Sequence, residues 1–308
     1  MAQTPRFGTE LLLLLVLSTL WGASYTFIKV GVETIPPLTF IAARTLIAGG
    51  LLAAILRARG MRLPGDRASW ARFLFQAGLN SVVPFTLIAW AEQTVDAGVA
   101  TILNATSPIF AFLLTALATR HEAVTARKLL GVAAGLAGTG FIVGFEALEG
   151  IGQQVWAQLA IVAATVCYAG AAIFGRSFKG LDPMVPAAGS LLCGAAVLLP
   201  VSIAVDRPWM LAPSARSLVA LGLLSVFSTA LAFVIYFRLV RTLGSIGTTA
   251  QAYLRVPIGV AIGVLCLDER LAPDAWIGLA CVVAGVVAMT WPTRRTASRA
   301  GEEPRANR

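Results

Sequence analysis

LWGASYTFIKVG at residues 20–31 and CYAGAAIFGRSF at residues 167–178 read as one phrase written twice. Aligned, they set Trp21 over Tyr168 and Phe27 over Phe174 at an offset of 147, which also sets Glu122 over Glu269, Gly131 over Gly278 and Gly138 over Gly285. Gly98 with Gly247 and Pro108 with Pro257 match at 149, a slip that loops of unequal length explain. Each copy carries five apolar runs, and an odd number forces the second copy into a membrane upside down relative to the first. The expected fold is an all-α integral membrane protein, ten transmembrane helices as two inverted five-helix repeats around a central cavity. The repeats are expected at 9–145 and 153–291, with a basic tail over 292–308.

Composition supports that reading. Of 308 residues, 57% are hydrophobic and 13% charged, and the mean hydropathy of +0.80 lies outside the range of soluble domains. Apolar runs near 11–30, 37–56, 72–91, 98–119, 128–145, 155–174, 184–204, 217–237, 246–266 and 275–291 are long enough to cross about 30 Å of hydrocarbon as helices. The first run is kept as a span, because WGAS at 21–24 makes a poor signal cleavage site. Cys167, Cys193, Cys266 and Cys281 all lie inside spans without CxxC or metal spacing, so they are expected to pack rather than to form disulfides or hold zinc.

The formal charge of +9 is an orientation signal before it is anything else. With the N-terminus inside, 18 lysines and arginines fall in cytoplasmic segments and four, Lys29, Arg207, Arg216 and Arg270, at the other face. The bias predicts a multi-pass inner-membrane protein with both termini cytoplasmic. The lipid bilayer is then its partner, with no role for nucleic acid, and the sequence leaves the oligomeric state open, a monomer included. Trp70, Trp156, Trp209 and Trp291, at span ends, are expected in the interfacial belt, and His121 at the surface.

The phrases AEQTVDAGVATILNATSPIFAFLLTALATRHEAVTARKLLGVAAGLAGTGFIVG (91–144) and GSIGTTAQAYLRVPIGVAIGVLCLDERLAPDAWIGLACVVAGVVAM (244–289) resemble the EamA-type members of the drug/metabolite transporter superfamily. What carries the likeness is a small-residue opening, a mid-span proline, a glutamate at the helix end and a closing G-x6-G helix, each present twice. The resemblance covers about residues 9 to 291 and implies a ten-helix bundle around a central cavity, with cytoplasmic termini, exporting small metabolites such as amino acids. One departure matters: Val256 stands before Pro257 where many relatives carry an acid, so no role of that acid carries over.

Two charges sit inside spans. Arg44 lies seven residues into the second, about 11 Å deep, and is expected to meet water, a substrate carboxylate or backbone carbonyls of a neighbouring helix, or to snorkel outward. Arg255 lies two residues before Pro257 and one turn after Gln251; Asn104 and Pro108 repeat the polar-to-proline spacing, with Thr101 one turn above. Paired proline-interrupted helices point to a transporter's binding site, although prolines can also merely kink helices. Asn80 and Pro84 share a face of the third span, with Ser228 as the counterpart of Pro84 in the eighth; a site and an interhelical hydrogen bond are both open for them. Trp21, Tyr25 and Tyr168 are candidate aromatic walls, or packing residues.

None of the 15 acids lies near the middle of a span, Glu92 at the end of the third coming nearest. That favours facilitated export or exchange over tight proton coupling. No GxxxxGK[ST] loop is present, so ATP-driven transport by this chain alone is not expected, and no cofactor is called for. A single histidine and scattered acids give little to an embedded enzyme. The expected activity is secondary export of a small metabolite, amino acids or related zwitterionic or anionic compounds, by alternating access. Efflux of neutral or cationic drugs is the alternative within transporters.

Overall fold

The computed structural model describes residues 7–118, 125–148, 153–178, 180–242 and 251–290. His121, Glu122, Gly247, Trp291 and the tail 292–308 lie outside the described residues. Within them every regular element is helical. α1 is Phe7–Gly31, α2 Pro37–Ala58, α3 Arg67–Ala91, α4 Ala97–Asn104, α5 Ser107–Ala118 and α6 Ala126–Leu148. α7 is Gln153–Phe174, α8 Met184–Val205, α9 spans 215–242, α10 is Gln251–Leu267 and α11 Pro273–Thr290.

Seven of the helical stretches described are long and apolar enough to cross a membrane, the fourth running through α4 and α5 to Leu114. Shorter apolar helices, Leu129–Thr139, Leu254–Leu267 and Pro273–Gly285, stand where three further spans are expected. With no water in hydrocarbon to bond the backbone, helices are how such runs satisfy it. Their ends fall where the sequence offers caps. Asp66 Oδ1 accepts the Ser69 amide at 2.8 Å to start α3, and that hydrogen bond holds its carboxyl below the usual carboxylate range. The Ser214 hydroxyl accepts from the Ser217 amide to start α9, and Gly60 at φ +73° ends α2 in the left-handed conformation.

Close helix crossings are made by glycine. A Cβ on Gly285 of α11 would lie 2.5 Å from the Gly131 carbonyl of α6, and one on Gly138 would lie 2.8 Å from the Gly278 carbonyl. The two G-x6-G helices thus pack backbone to backbone against each other, the close approach that replaces hydrophobic drive in lipid. α1 meets α10 in the same way: a Cβ on Gly22 would lie 3.1 Å from Arg255 O and from Gly259 N.

Two π-helical turns interrupt long helices, Gly78–Val82 in α3 and Val226–Leu231 in α9, beginning 148 residues apart. At that offset Ser228 aligns with Asn80, whereas the sequence reading pairs it with Pro84. The prolines also differ. The chain breaks at Ala105–Thr106, where the Thr106 hydroxyl bonds Leu103 O and the Ser107 hydroxyl bonds Asn104 O, both at 2.7 Å. α10 instead continues as a helix through Pro257. Hydroxyls take over carbonyls that the α-helical ladder releases at the first site, while LRVPIG offers none at the second, where packing on α1 holds the helix closed.

Trp70 at a span end is half-buried, donates Nε1–H to Pro64 O at 2.8 Å and packs on Phe73, while Trp156 and Trp209 are exposed. One lesser expectation is corrected. The four cysteines are free, but Cys266 is exposed and packs no core.

Candidate functional site

A cavity of about 860 Å³ runs through the bundle. It reaches the segment 175–183, where Gly180 and Leu181 are exposed. Around residues 91–97 the bundle is closely packed: Ala91, Glu92 and Ala97 have no exposure and Val95 has 3%. Hydrogen bonds across the helices hold this closed end. Glu269 accepts the Ala97 and Gly98 amides at 2.7 and 2.9 Å, the Lys29 ammonium donates to Val95 O at 2.7 Å, and Asp206 accepts the Thr39 amide at 2.9 Å near the start of α2. Carboxylates at helix N-termini gain from unpaired amides and the helix dipole.

Arg44 lies at the inner wall with 6% exposure. Its guanidinium stacks 3.8 Å from the centroid of the Phe85 ring and its Nε donates to Thr229 Oγ1 at 3.1 Å. The Thr229 hydroxyl donates in turn to Leu224 O at 2.8 Å, five residues back, across the π-helical turn. The extra residue of that turn leaves a carbonyl free for a side chain, and through it the backbone of α9 orients the charge on α2.

A second polar group collects around α10. Arg255 Nη2 donates to Asn104 Oδ1 at 3.4 Å. Arg255 Nε, Asn104 Nδ2, Gln251 Oε1 and Ser228 Oγ are buried and meet no hydrogen-bond partner among the described residues. All four residues line the cavity, as does Asn80. Buried polar atoms are normally paired, so their convergence on one space marks where a polar ligand or water completes them. The walls are aromatic: Trp21 lies 5.5 Å from Tyr236 and 6.3 Å from Phe233, and Tyr168 lies 6.4 Å from Phe85 between ring centroids, with Tyr25 nearby. Among the described lining residues the charged ones are Arg44 and Arg255, and none is acidic.

Trp21, Tyr25, Arg44, Asn80, Asn104, Tyr168, Ser228, Gln251 and Arg255 therefore share one cavity. The remaining candidates lie elsewhere. Thr101 has no exposure, turns its hydroxyl back to Ala97 O at 2.8 Å and packs on Gly259 at the α4–α10 crossing. Pro84 is buried in α3 outside the cavity lining, and Pro257 faces outward. The Pro108 side chain lies outside the described residues. The sequence reading missed Phe85 and Thr229, which hold Arg44, and Phe233 and Tyr236. FSTALAF at 227–233, with adjacent hydroxyls in an apolar run, was the signal for Thr229.

Relatives share this chain's full extent. An uncharacterized inner membrane transporter of Escherichia coli K12, YedA, is 29% identical over 93% of this chain and 90% of its own length. The uncharacterized transporter YoaV of Bacillus subtilis is 26% identical, covering 90% and 94%. A probable terminal-alkyne amino-acid exporter of Streptantibioticus cattleyicolor is 28% identical, covering 92% of each chain. A solved crystal structure with 20% identity superposes over 92% of this chain and 97% of that one with a TM-score of 0.62, a likeness of fold. The three relatives, though not that structure, are transporters or exporters by name, which sets aside an embedded enzyme. With residues 8–144 and again 155–291 matching the EamA-like transporter family, the chain belongs to that family of membrane transporters.

Proposed function

We propose that the protein exports small zwitterionic or anionic metabolites, amino acids foremost, by alternating access. The observation that carries this is the charge of the cavity, which holds Arg44 and Arg255 and no described acid. A carboxylate entering it meets a guanidinium with an unpartnered Nε–H, beside Asn104 and Gln251, which can turn to an ammonium or amide. Like-charge repulsion works against cationic drugs. The name of the Streptantibioticus cattleyicolor relative agrees with an amino-acid cargo. The aromatic walls would also suit a flat neutral drug, which is the second reading.

The same proposal includes the architecture and address: ten spans as inverted repeats over 9–145 and 153–291, in the inner membrane, with both termini and the basic tail cytoplasmic. The paired π-helical turns, the matched glycine helices and the arginine and lysine bias support it. In that orientation the cavity faces the cytoplasm and the sealed end faces outward.

The test is counterflow of labelled amino acids into liposomes holding the purified protein, with wild type, Arg255→Gln and Arg255→Lys at equal density. A charge-assisted hydrogen bond of about 1.5 to 3 kcal/mol makes Arg255→Gln roughly 10- to 100-fold slower for the acid and little changed for its amide analogue. Arg255→Lys falls between, keeping charge but losing the fork. Equal losses for acid and amide would mean that Arg255 ties helices together and reads no charge, and neutral drug efflux would take the lead.

A further inference from the structure

One titratable group of the closed end serves neither the cavity nor the helix caps. Glu92 ends α3, has no exposed surface, and lies outside the cavity lining. Among the described residues neither of its carboxylate oxygens makes a well-formed hydrogen bond, and only the Lys29 backbone N–H gives the charged form weak support. The charged groups that act on it are all engaged with other atoms. Lys29 of α1 is bonded to Val95 O, Arg44 of α2 to Thr229 and the Phe85 ring, and Glu269 of the segment before α11 to the Ala97 and Gly98 amides. Tyr25 of α1, 5% exposed, is within electrostatic reach of it, and Tyr168 of α7 packs against Phe85. Loss of water is the largest influence and Glu269 adds to it, while Lys29 and Arg44 favour the charged form without outweighing burial, so the neutral acid fits.

We propose that Glu92 is a proton-binding site whose occupancy holds the closed end of the bundle shut. On this proposal water reaches Glu92 when the turn 92–96 parts from the Glu269 segment, whose carboxylate holds the Ala97 and Gly98 amides just beyond that turn. An exposed Glu92 ionises as an ordinary carboxyl, near pH 4.3. The closed state therefore binds one proton more than the open state. The sign follows by linkage: closure is fully favoured below the open-state pKa and is lost as pH rises toward the closed-state pKa. One proton gives about a tenfold rise in the opening equilibrium per pH unit over that interval. Resting on the alternating-access reading above, the consequence is that acid outside returns the carrier to its cytoplasm-facing state. This is a proton link that the absence of mid-span acids did not suggest.

The test needs no substrate. Hydrogen exchange of the Ala97 and Gly98 amides is followed in the full chain in lipid nanodiscs at about pH 5.5, 6.5 and 7.5, each rate divided by its intrinsic value. In wild type, opening should rise with pH by up to about 100-fold across the range. In Glu92→Gln it should be flat and as low as wild type at the acid end. Glu92→Met, apolar and of similar length, gives the same comparison if the amide variant fails to fold. An equal pH slope in wild type and variants, or a flat wild type that still opens, overturns the proton site and leaves alternating access standing. Amides that never exchange in any form overturn both. A change in protection on adding sodium at constant pH and ionic strength would assign the site to a metal cation and overturn the proton.

Discussion

Thr229→Val removes one oxygen from a residue that is 1% exposed and keeps its shape. Two hydrogen bonds go with it, the 3.1 Å bond from Arg44 Nε and the 2.8 Å bond to Leu224 O. A buried donor or acceptor left unmade costs about 1 to 3 kcal/mol each, so the upper bound is roughly 2 to 6. Both Arg44 and Thr229 line the cavity, and water entering it repairs part of the loss, which puts the expected cost at about 1 to 2 kcal/mol. The stacking on Phe85 at 3.8 Å remains, so the guanidinium keeps its depth but loses its orientation. The assay is a double-mutant cycle of Thr229→Val with Arg44→Met, read as unfolding midpoints in mixed micelles, with Thr229→Ser as the variant that keeps the hydroxyl. A coupling of about 1 kcal/mol or more is expected, and Thr229→Ser should cost well under half of Thr229→Val. Counterflow should fall in Thr229→Val even where the folded fraction is corrected for. A coupling below about 0.3 kcal/mol would show that the π-helical turn of α9 does not hold Arg44.

Gly285→Val sets a Cβ where the Gly131 carbonyl lies 2.5 Å away and should force α6 and α11 apart, measured as loss of monodisperse protein. Gly50→Ala, in α2 with open space around the new methyl, should instead stabilise by about 0.5 to 1 kcal/mol in the same unfolding assay. Glu269→Gln keeps the shape of the cap on α4 but removes its charge, and exchange of the Ala97 and Gly98 amides should quicken about two- to fivefold; unchanged rates would show that the charge plays no part in closure. Reporter fusions at residue 308 should be active on the cytoplasmic side only, and a periplasmic signal would reverse the assigned faces.

Hydropathy is a property of successive residues, so the apolar helices, the duplicated glycines and the depth of Arg44 could be read directly from the chain. The physical reason is that lipid leaves a long apolar run no other way to satisfy its backbone, and a buried guanidinium no choice but a polar partner. Which partner it takes is a matter of rotation about helix axes, and that is set by packing. Gly22 against Gly259 fixes how α1 and α10 turn, which brings Trp21 and Arg255 to the cavity and leaves Pro257 outside. Thr101, on the spacing that nominated it, is spent in the α4–α10 crossing. The π-helical turns leave no mark in an apolar run, since the extra residue looks like any other, yet one of them frees the carbonyl through which Thr229 reaches Arg44. Glu92 shows the division most clearly. By sequence it stands at a span end beside water, and only the fold, laying the Glu269 segment across the neighbouring turn, takes that water away.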